Sequence, residues 1–182
     1  EQYDWHLLIV NASHAITDDY EVTLSALSNG VIVDERIYPD LQQMFDDMRT
    51  DGLSPVVGEG YRTHQAQENM MADKVNMYIE QGYSREDADK QARKWVAEPG
   101  TSEHELGLAL DINAVDSTDA WDVYTWLADN AYKYGFILRY PSGKEEITGI
   151  DYEPWHYRYV GKEAALNIYQ QDVTLEEYLE GH

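Results

Sequence analysis

Apolar spacing along the chain alternates between strand-like runs and helical stripes, separated by Gly, Pro and Asn breaks. Residues 7–10 are a continuous apolar run of strand length. Residues 22–27 and 31–37 flank Ser28-Asn29-Gly30, and Asn-Gly is the favoured two-residue turn because both positions accept positive φ, so a β-hairpin is predicted. Pro39 opens a helix on which Leu41, Met44, Phe45 and Met48 share one face, with Gly52 as its stop. Residues 55–57 form a short strand leading into Gly58-Glu59-Gly60-Tyr61-Arg62, and Thr63 caps a helix running to about Gln81. Ser84 caps a further helix to about Ala97, with Ala88, Ala92 and Trp95 as its buried stripe. Ser117 or Thr118 starts the next, whose Trp121, Tyr124, Ala128 and Ala131 lie on one side before Gly135. Residues 136–140 read as a strand, 141–143 as a turn and 155–160 as a strand. A helix follows to Gln171, and Thr174 with Glu177 forms the capping box of a short last helix. Helices mixed with short strands and a hairpin indicate an α+β fold with a small antiparallel sheet flanked by helices.

The segment most informative about chemistry is 106–112. As a strand it sends Leu106, Leu108, Leu110 and Ile112 to a core face and Gly107, Ala109 and Asp111 to the other, leaving a small-residue floor beside one carboxylate. His104 precedes this floor. Downstream, Pro154 keeps Glu153 out of helical geometry, placing it on a loop or strand edge that leads to His156. A hydrolytic zinc site needs two imidazoles and a carboxylate as ligands, an open position for water, and a nearby base to take that water's proton. His104, Asp111 and His156 fit the ligand set, and Glu153 fits the base. Strand alternation alone puts Glu153 and His156 on opposite faces, so the loop must turn the carboxylate back. In a chain with 35 acidic residues and six histidines a lone Glu-x-x-His carries little weight, and the joint pattern carries the reading. The zincin helix motif His-Glu-x-x-His is absent.

Composition narrows the alternatives. A net charge of -22 opposes nucleic acid and anionic lipid, since a phosphate backbone needs Lys and Arg to displace its counterions. The same field opposes a substrate with a free carboxylate, which gives weight to a local cation such as Arg62. With no cysteine, disulfides, thiolate ligands and a Cys nucleophile are excluded. No Gly-x-Ser-x-Gly elbow accompanies Ser102, and neither a phosphate-loop Lys nor a dinucleotide fingerprint follows Gly58 and Gly60. His6, His14, His64 and His182 have ordinary surface or packing explanations. Packing is also the default for most of the 15 tyrosines and five tryptophans. Trp155, between Glu153 and His156, is a candidate pocket wall, and Tyr157 or Tyr159 is either another wall or core. The 182 residues suffice for one domain with its own core.

The pattern Ser-x-His-x-x-Gly-x-Ala-x-Asp from Ser102 to Asp111, Gly60-Tyr61-Arg62 before it, and Glu153-Pro154-Trp155-His156-Tyr157-Arg158-Tyr159-Val160-Gly161 after it resemble the VanY-type D-alanyl-D-alanine carboxypeptidases. These group structurally with the lysostaphin and sonic hedgehog zinc domains. The resemblance covers about residues 4–161. It implies that His104, Asp111 and His156 bind Zn²⁺, that Glu153 is the catalytic base, that Arg62 stabilises the oxyanion, and that Ser102 and Gln67 help hold the peptide end. It further implies a single zinc peptidase domain, with no cofactor beyond the metal, that removes the terminal D-alanine of a peptidoglycan stem peptide. L,D-carboxypeptidase, D,D-dipeptidase and a non-catalytic zinc-containing binding module are the alternatives. The chain starts at Glu1 without Met, which points to a removed leader or anchor, and the family points to the cell envelope rather than the cytoplasm. One departure is Glu59, where relatives often carry Ser; a carboxylate at the mouth would disfavour acidic substrates.

Overall fold

In a computed structural model, residues 4–181 are described. The expectation for His182 lies outside them. They form two antiparallel sheets packed among helices, an α+β arrangement in agreement with the sequence reading. The first sheet is the hairpin β1 (Leu24–Ala26) and β2 (Ile32–Asp34). Its turn differs from the expected two-residue Asn-Gly form. Leu27 N donates to Val31 O and Gly30 N to Leu27 O, closing a three-residue loop in which, of Asn29 and Gly30, only Gly30 has positive φ.

The second sheet carries the site, in the order β3-β4-β6-β5. It comprises β3 (Pro55–Glu59), β4 (Ala109–Ala114), β5 (Phe136–Leu138) and β6 (His156–Tyr159). Leu106, Leu108, Leu110 and Ile112 all enter the core, as their alternation predicts. The strand starts later than expected, however. Glu103–Leu106 is a 3₁₀ turn closed by Gly107 at φ 77, where an added Cβ would stand 3.1 Å from Asp34 N. Gly107 thus meets a backbone requirement and does not floor a site, and Ala109 is fully buried.

Against this sheet pack α1 (Tyr38–Thr50), through Leu41, Met44, Phe45 and Met48 as expected, and α4 (Ala120–Asn130). The buried stripe of α4 is Val123 and Leu127, continued by Ala131. Trp121 and Ala128, expected on that stripe, are exposed, and Asp119 rather than Ser117 or Thr118 is the cap. Trp121 instead packs edge-on against Tyr124 at the surface. Thr63 caps α2 (His64–Glu80), and Ser84 caps α3 (Arg85–Ala92). The latter ends five residues early, so Trp95 leaves the Ala88 and Ala92 stripe and is 40% exposed. A short α5 (Glu145–Thr148) precedes β6, and α6 (Lys162–Gln171) and α7 (Leu175–Glu180) follow it, with the Thr174 and Glu177 capping box formed.

Residues 7–10 do not pair as a strand. Leu7 ends a 3₁₀ turn (Trp5–Leu7), and the run passes between two apolar clusters: Leu8 and Val10 face the main core, Leu7 and Ile9 the cluster around α6. The His6 and Leu8 carbonyls accept from Arg158 Nη2, a side chain replacing a neighbouring strand. The apolar run was thus read correctly as burial and incorrectly as sheet. No helix among the described residues is long and apolar enough to cross a membrane.

Candidate metal centre

Strand register decides the centre. Asp111 on β4 lies directly opposite His156 on β6, and on its other side a bulge at Gly58 sets Glu59 of β3 opposite Asp111. Direct partners point to the same face, so three residues distant in sequence stand in a row across the sheet. His104 joins them from the 3₁₀ turn. Its Nδ1 lies 2.8 Å from the carbonyl of Gly60, which leaves Nε2 to face Asp111 Oδ1 at 3.3 Å. Gly60 itself lies tight against β2, where an added Cβ would stand 2.4 Å from Ile32 O. His156 presents Nδ1 to the same Asp111 oxygen at 3.2 Å, and the rings meet edge to face, 4.9 Å between centroids. One atom from each of the three residues lies within 4.8 Å of the others. Two neutral-capable imidazoles and a carboxylate converging this way fit a tetrahedral Zn²⁺ with one position open.

Glu153 returns to this cluster, as the sequence reading required. Its backbone N donates to Tyr140 O, and His156 N donates to Glu153 O, a turn through Pro154 and Trp155 that brings Oε2 to 3.7 Å from His156 Nδ1. Among the described residues none hydrogen-bonds this carboxylate. Burial, with Asp111 nearby, pushes its pKa up to about 7, although His156 and Arg62 oppose the rise. Burial also works against charge on His156, but the neighbouring carboxylates of Asp111 and Glu103 outweigh it and raise its pKa to about 9. At Asp111 burial is likewise outweighed, by His104 and His156, which hold the carboxyl well below its usual range.

Arg62, 8% exposed, is locked by three contacts. Its N donates to His104 O, its Nε to Glu59 at 3.1 Å and its Nη1 to Gln67 at 2.6 Å. Glu59 therefore serves as a partner of Arg62 and not as a free carboxylate at the mouth. Gln67 passes its amide to Ala97 O, so both its ends are engaged. Ser102 is buried, and its hydroxyl makes no hydrogen bond with the described residues. These side chains line a cleft of about 370 Å³, walled by Trp155 as foreseen and also by Trp95, Met70 and Lys74, which were not. Trp95 had been assigned to packing because its helical spacing matched Ala88 and Ala92. Tyr157 and Tyr159 pack in the core rather than walling the cleft. His64 pairs with Glu105 and Glu68, His14 is exposed, and His6 packs on Trp5 and Tyr159, all apart from the cleft.

Sequence reasoning missed Glu103, fully buried behind His156 and held by Arg139 Nε and Arg158 Nη1, each at 2.7 Å. Among so many acids nothing in its local spacing marked it.

Residues 30–162 match the family model VanY, D-alanyl-D-alanine carboxypeptidase. The chain belongs to the VanY family. A D-alanyl-D-alanine carboxypeptidase of Enterococcus faecalis is 52% identical over 181 residues, which cover 98% of this chain and 67% of that protein. This VanY chain spans 50 to 67% of the length of three curated relatives. Among solved structures, VanYB in complex with D-alanine-D-alanine matches with a TM-score of 0.95 at 52% identity, covering 97% of this chain and 98% of that one. A mutant of the vancomycin resistance D,D-pentapeptidase VanY in complex with Zn(II) matches at 0.94 and 52%, covering 96% and 99%. The VanY fold is thereby common to these chains and this one.

Proposed function

We propose that this chain is a zinc D,D-carboxypeptidase that removes the terminal D-alanine from peptidoglycan stem peptides, acting as one domain. The observation that carries the reading is the convergence of His104, Asp111 and His156 with an unpartnered Glu153 3.7 Å from the nearest ligand nitrogen. A purely structural site has no use for such a base. Relatives bound to Zn(II) and to D-alanine-D-alanine support the metal and the substrate class.

His104, Asp111 and His156 would hold the ion, which supplies a Lewis acid for the scissile carbonyl and for the attacking water. Glu153 accepts the proton of that water and returns it to the leaving amine. Free of hydrogen bonds to the described residues, this carboxylate is available for both transfers. Two of the five guanidinium N–H groups of Arg62 are spent on Glu59 and Gln67, and the rest serve the oxyanion that develops during attack. Gln67 then acts chiefly by orienting Arg62, while the free hydroxyl of Ser102 and the ring of Trp155 remain to receive the peptide end. The substrate's location favours the extracytoplasmic cell envelope.

The test is mass spectrometry of a stem pentapeptide ending in D-Ala-D-Ala, incubated with the zinc-loaded protein and with a chelated control. Loss of one alanine in the absence of chelator is expected. Release of the dipeptide would assign a D,D-dipeptidase, and cleavage confined to a tetrapeptide an L,D-carboxypeptidase. If neither peptide is cut, a zinc-containing binding module replaces the enzyme.

A further inference from the structure

We infer that Glu103 is the positioning residue for His156, accepting the Nε2 proton and so presenting Nδ1 to the metal. The inference rests on the metal-site reading above and extends it to a residue outside the ligand set. Two buried atoms carry it. His156 Nε2 and Glu103 Oε2 both lack a hydrogen-bond partner, and they stand 3.5 Å apart with side-chain exposures of 4% and 0%. Each is the ionic partner within the other's reach, and a buried polar atom is seldom left alone. The opposite nitrogen, Nδ1, faces Asp111 and Glu153 in the cleft.

Glu103 cannot easily turn elsewhere. Its Oε1 accepts from Arg139 Nε and Arg158 Nη1, and Arg139 is itself tied by Nη1 and Nη2 to Glu176 on α7. The same 3₁₀ turn thus supplies His104 to the cleft and Glu103 to the rear of His156. Tyr140 lies against the ring of His156 at 4.7 Å, limiting its rotation. The two imidazoles are therefore oriented by different acceptors: His104 by the neutral carbonyl of Gly60, His156 by an anchored carboxylate.

Glu103→Gln tests this with little change in volume. The two arginines require an acceptor, so the amide oxygen stays with them and the NH₂ turns toward His156 Nε2. Donor then meets donor unless His156 moves its proton to Nδ1, the nitrogen the metal needs. Zinc affinity, measured on the full chain by competition with a chromophoric chelator, is expected to fall about 10–100-fold. Ile168→Ala, a core truncation in α6 remote from the cleft, controls for lost stability and should leave the affinity unchanged. Nitrogen-15 spectra of the zinc-loaded wild type should show His156 protonated at Nε2 and coordinated through Nδ1, and they decide the matter alone if Glu103→Gln does not fold. Wild-type affinity in a folded Glu103→Gln, or coordination through Nε2, overturns the inference while sparing the metal site. A wild type that binds no zinc removes both.

Discussion

Two charged clusters share the sheet, and they differ in how completely they are paired. Behind His156, Glu103, Arg139, Arg158 and Glu176 form a nearly closed set in which the guanidinium groups are matched by carboxylates and backbone carbonyls, and Glu103 Oε2 is left to face His156. In front, His104, Asp111, His156 and Glu153 converge on a cleft with valences unspent. Both combine carboxylates with basic side chains in largely buried surroundings. Burial of charge therefore does not by itself indicate function; the informative sign is donors and acceptors converging on a space that no protein atom fills. In the first cluster the guanidinium groups have spent their donors within the fold, whereas the second leaves its donors and acceptors for a ligand.

The largest effect that would sharpen this contrast is expected from Asp111→Ala, which removes the oxygen both imidazoles face. Zinc affinity should drop by more than about 100-fold, beyond the cost of losing an outer partner, with turnover lost alongside. Equilibrium dialysis with metal analysis checks it, and retained zinc would mean that the ion sits elsewhere. Glu153→Gln separates base from ligand. Turnover should fall about 10²–10⁴-fold with zinc still bound, as steady-state kinetics on the metal-analysed protein would reveal. Arg139→Met probes the closed cluster. Leaving Glu103 and Glu176 without their common cation should cost about 3–5 kcal/mol in urea unfolding, while the folded fraction loses less turnover than Glu153→Gln.

Titration distinguishes the clusters too. Glu153 in the metal-free protein has its pKa raised from 4.5 to about 7, so the folded state holds the proton more tightly. Its contribution to stability is complete below the unfolded value and is lost as pH rises through about 7. His156, raised from 6.5 to about 9, contributes fully below 6.5 and loses that contribution as pH rises through about 9. Asp111 and Glu103 are shifted down, burial being outweighed by their cationic partners, and they act oppositely, losing stability only as acid protonates them. Thermal melts of chelated protein should thus weaken from about pH 5 to 9, and bound zinc should remove this alkaline loss because it replaces the proton on His156. Unchanged melting of the chelated protein over that range would contradict the open-cluster reading. The smallest effect concerns α7, which carries Glu176. Thr174→Ala removes the cap that receives Glu177 N and should cost about 1 kcal/mol with zinc affinity unaltered, a difference visible by calorimetry and dialysis.

Local physical rules made much of this legible in the sequence. The stripe of α1, the caps at Thr63, Ser84 and Thr174, and the burial of Leu106, Leu108, Leu110 and Ile112 each depend on neighbours within a few residues, and the structure contains all of them. The candidate ligand set His104, Asp111 and His156 was also readable, since few residue types bind zinc and their spacing was distinctive. Where local rules gave an incomplete answer, tertiary packing supplied the rest. The run at 7–10 is apolar because two clusters enclose it, and Arg158 takes the hydrogen bonds a strand would have made. Trp95 has helical spacing, yet the helix ends first and the ring walls the cleft.

The sequence by itself determined most element types, several core faces and the inventory of candidate metal-binding and proton-accepting groups, because these follow from side-chain chemistry and short-range periodicity. Only the tertiary structure decided that Asp111 stands across from His156, that Glu59 and Gln67 hold Arg62, and that Glu103 lies behind the second imidazole. Those relations depend on strand register and on contacts between residues as much as 53 positions apart. Local propensity is silent about both, since it is the packing of the whole core that selects one register among many.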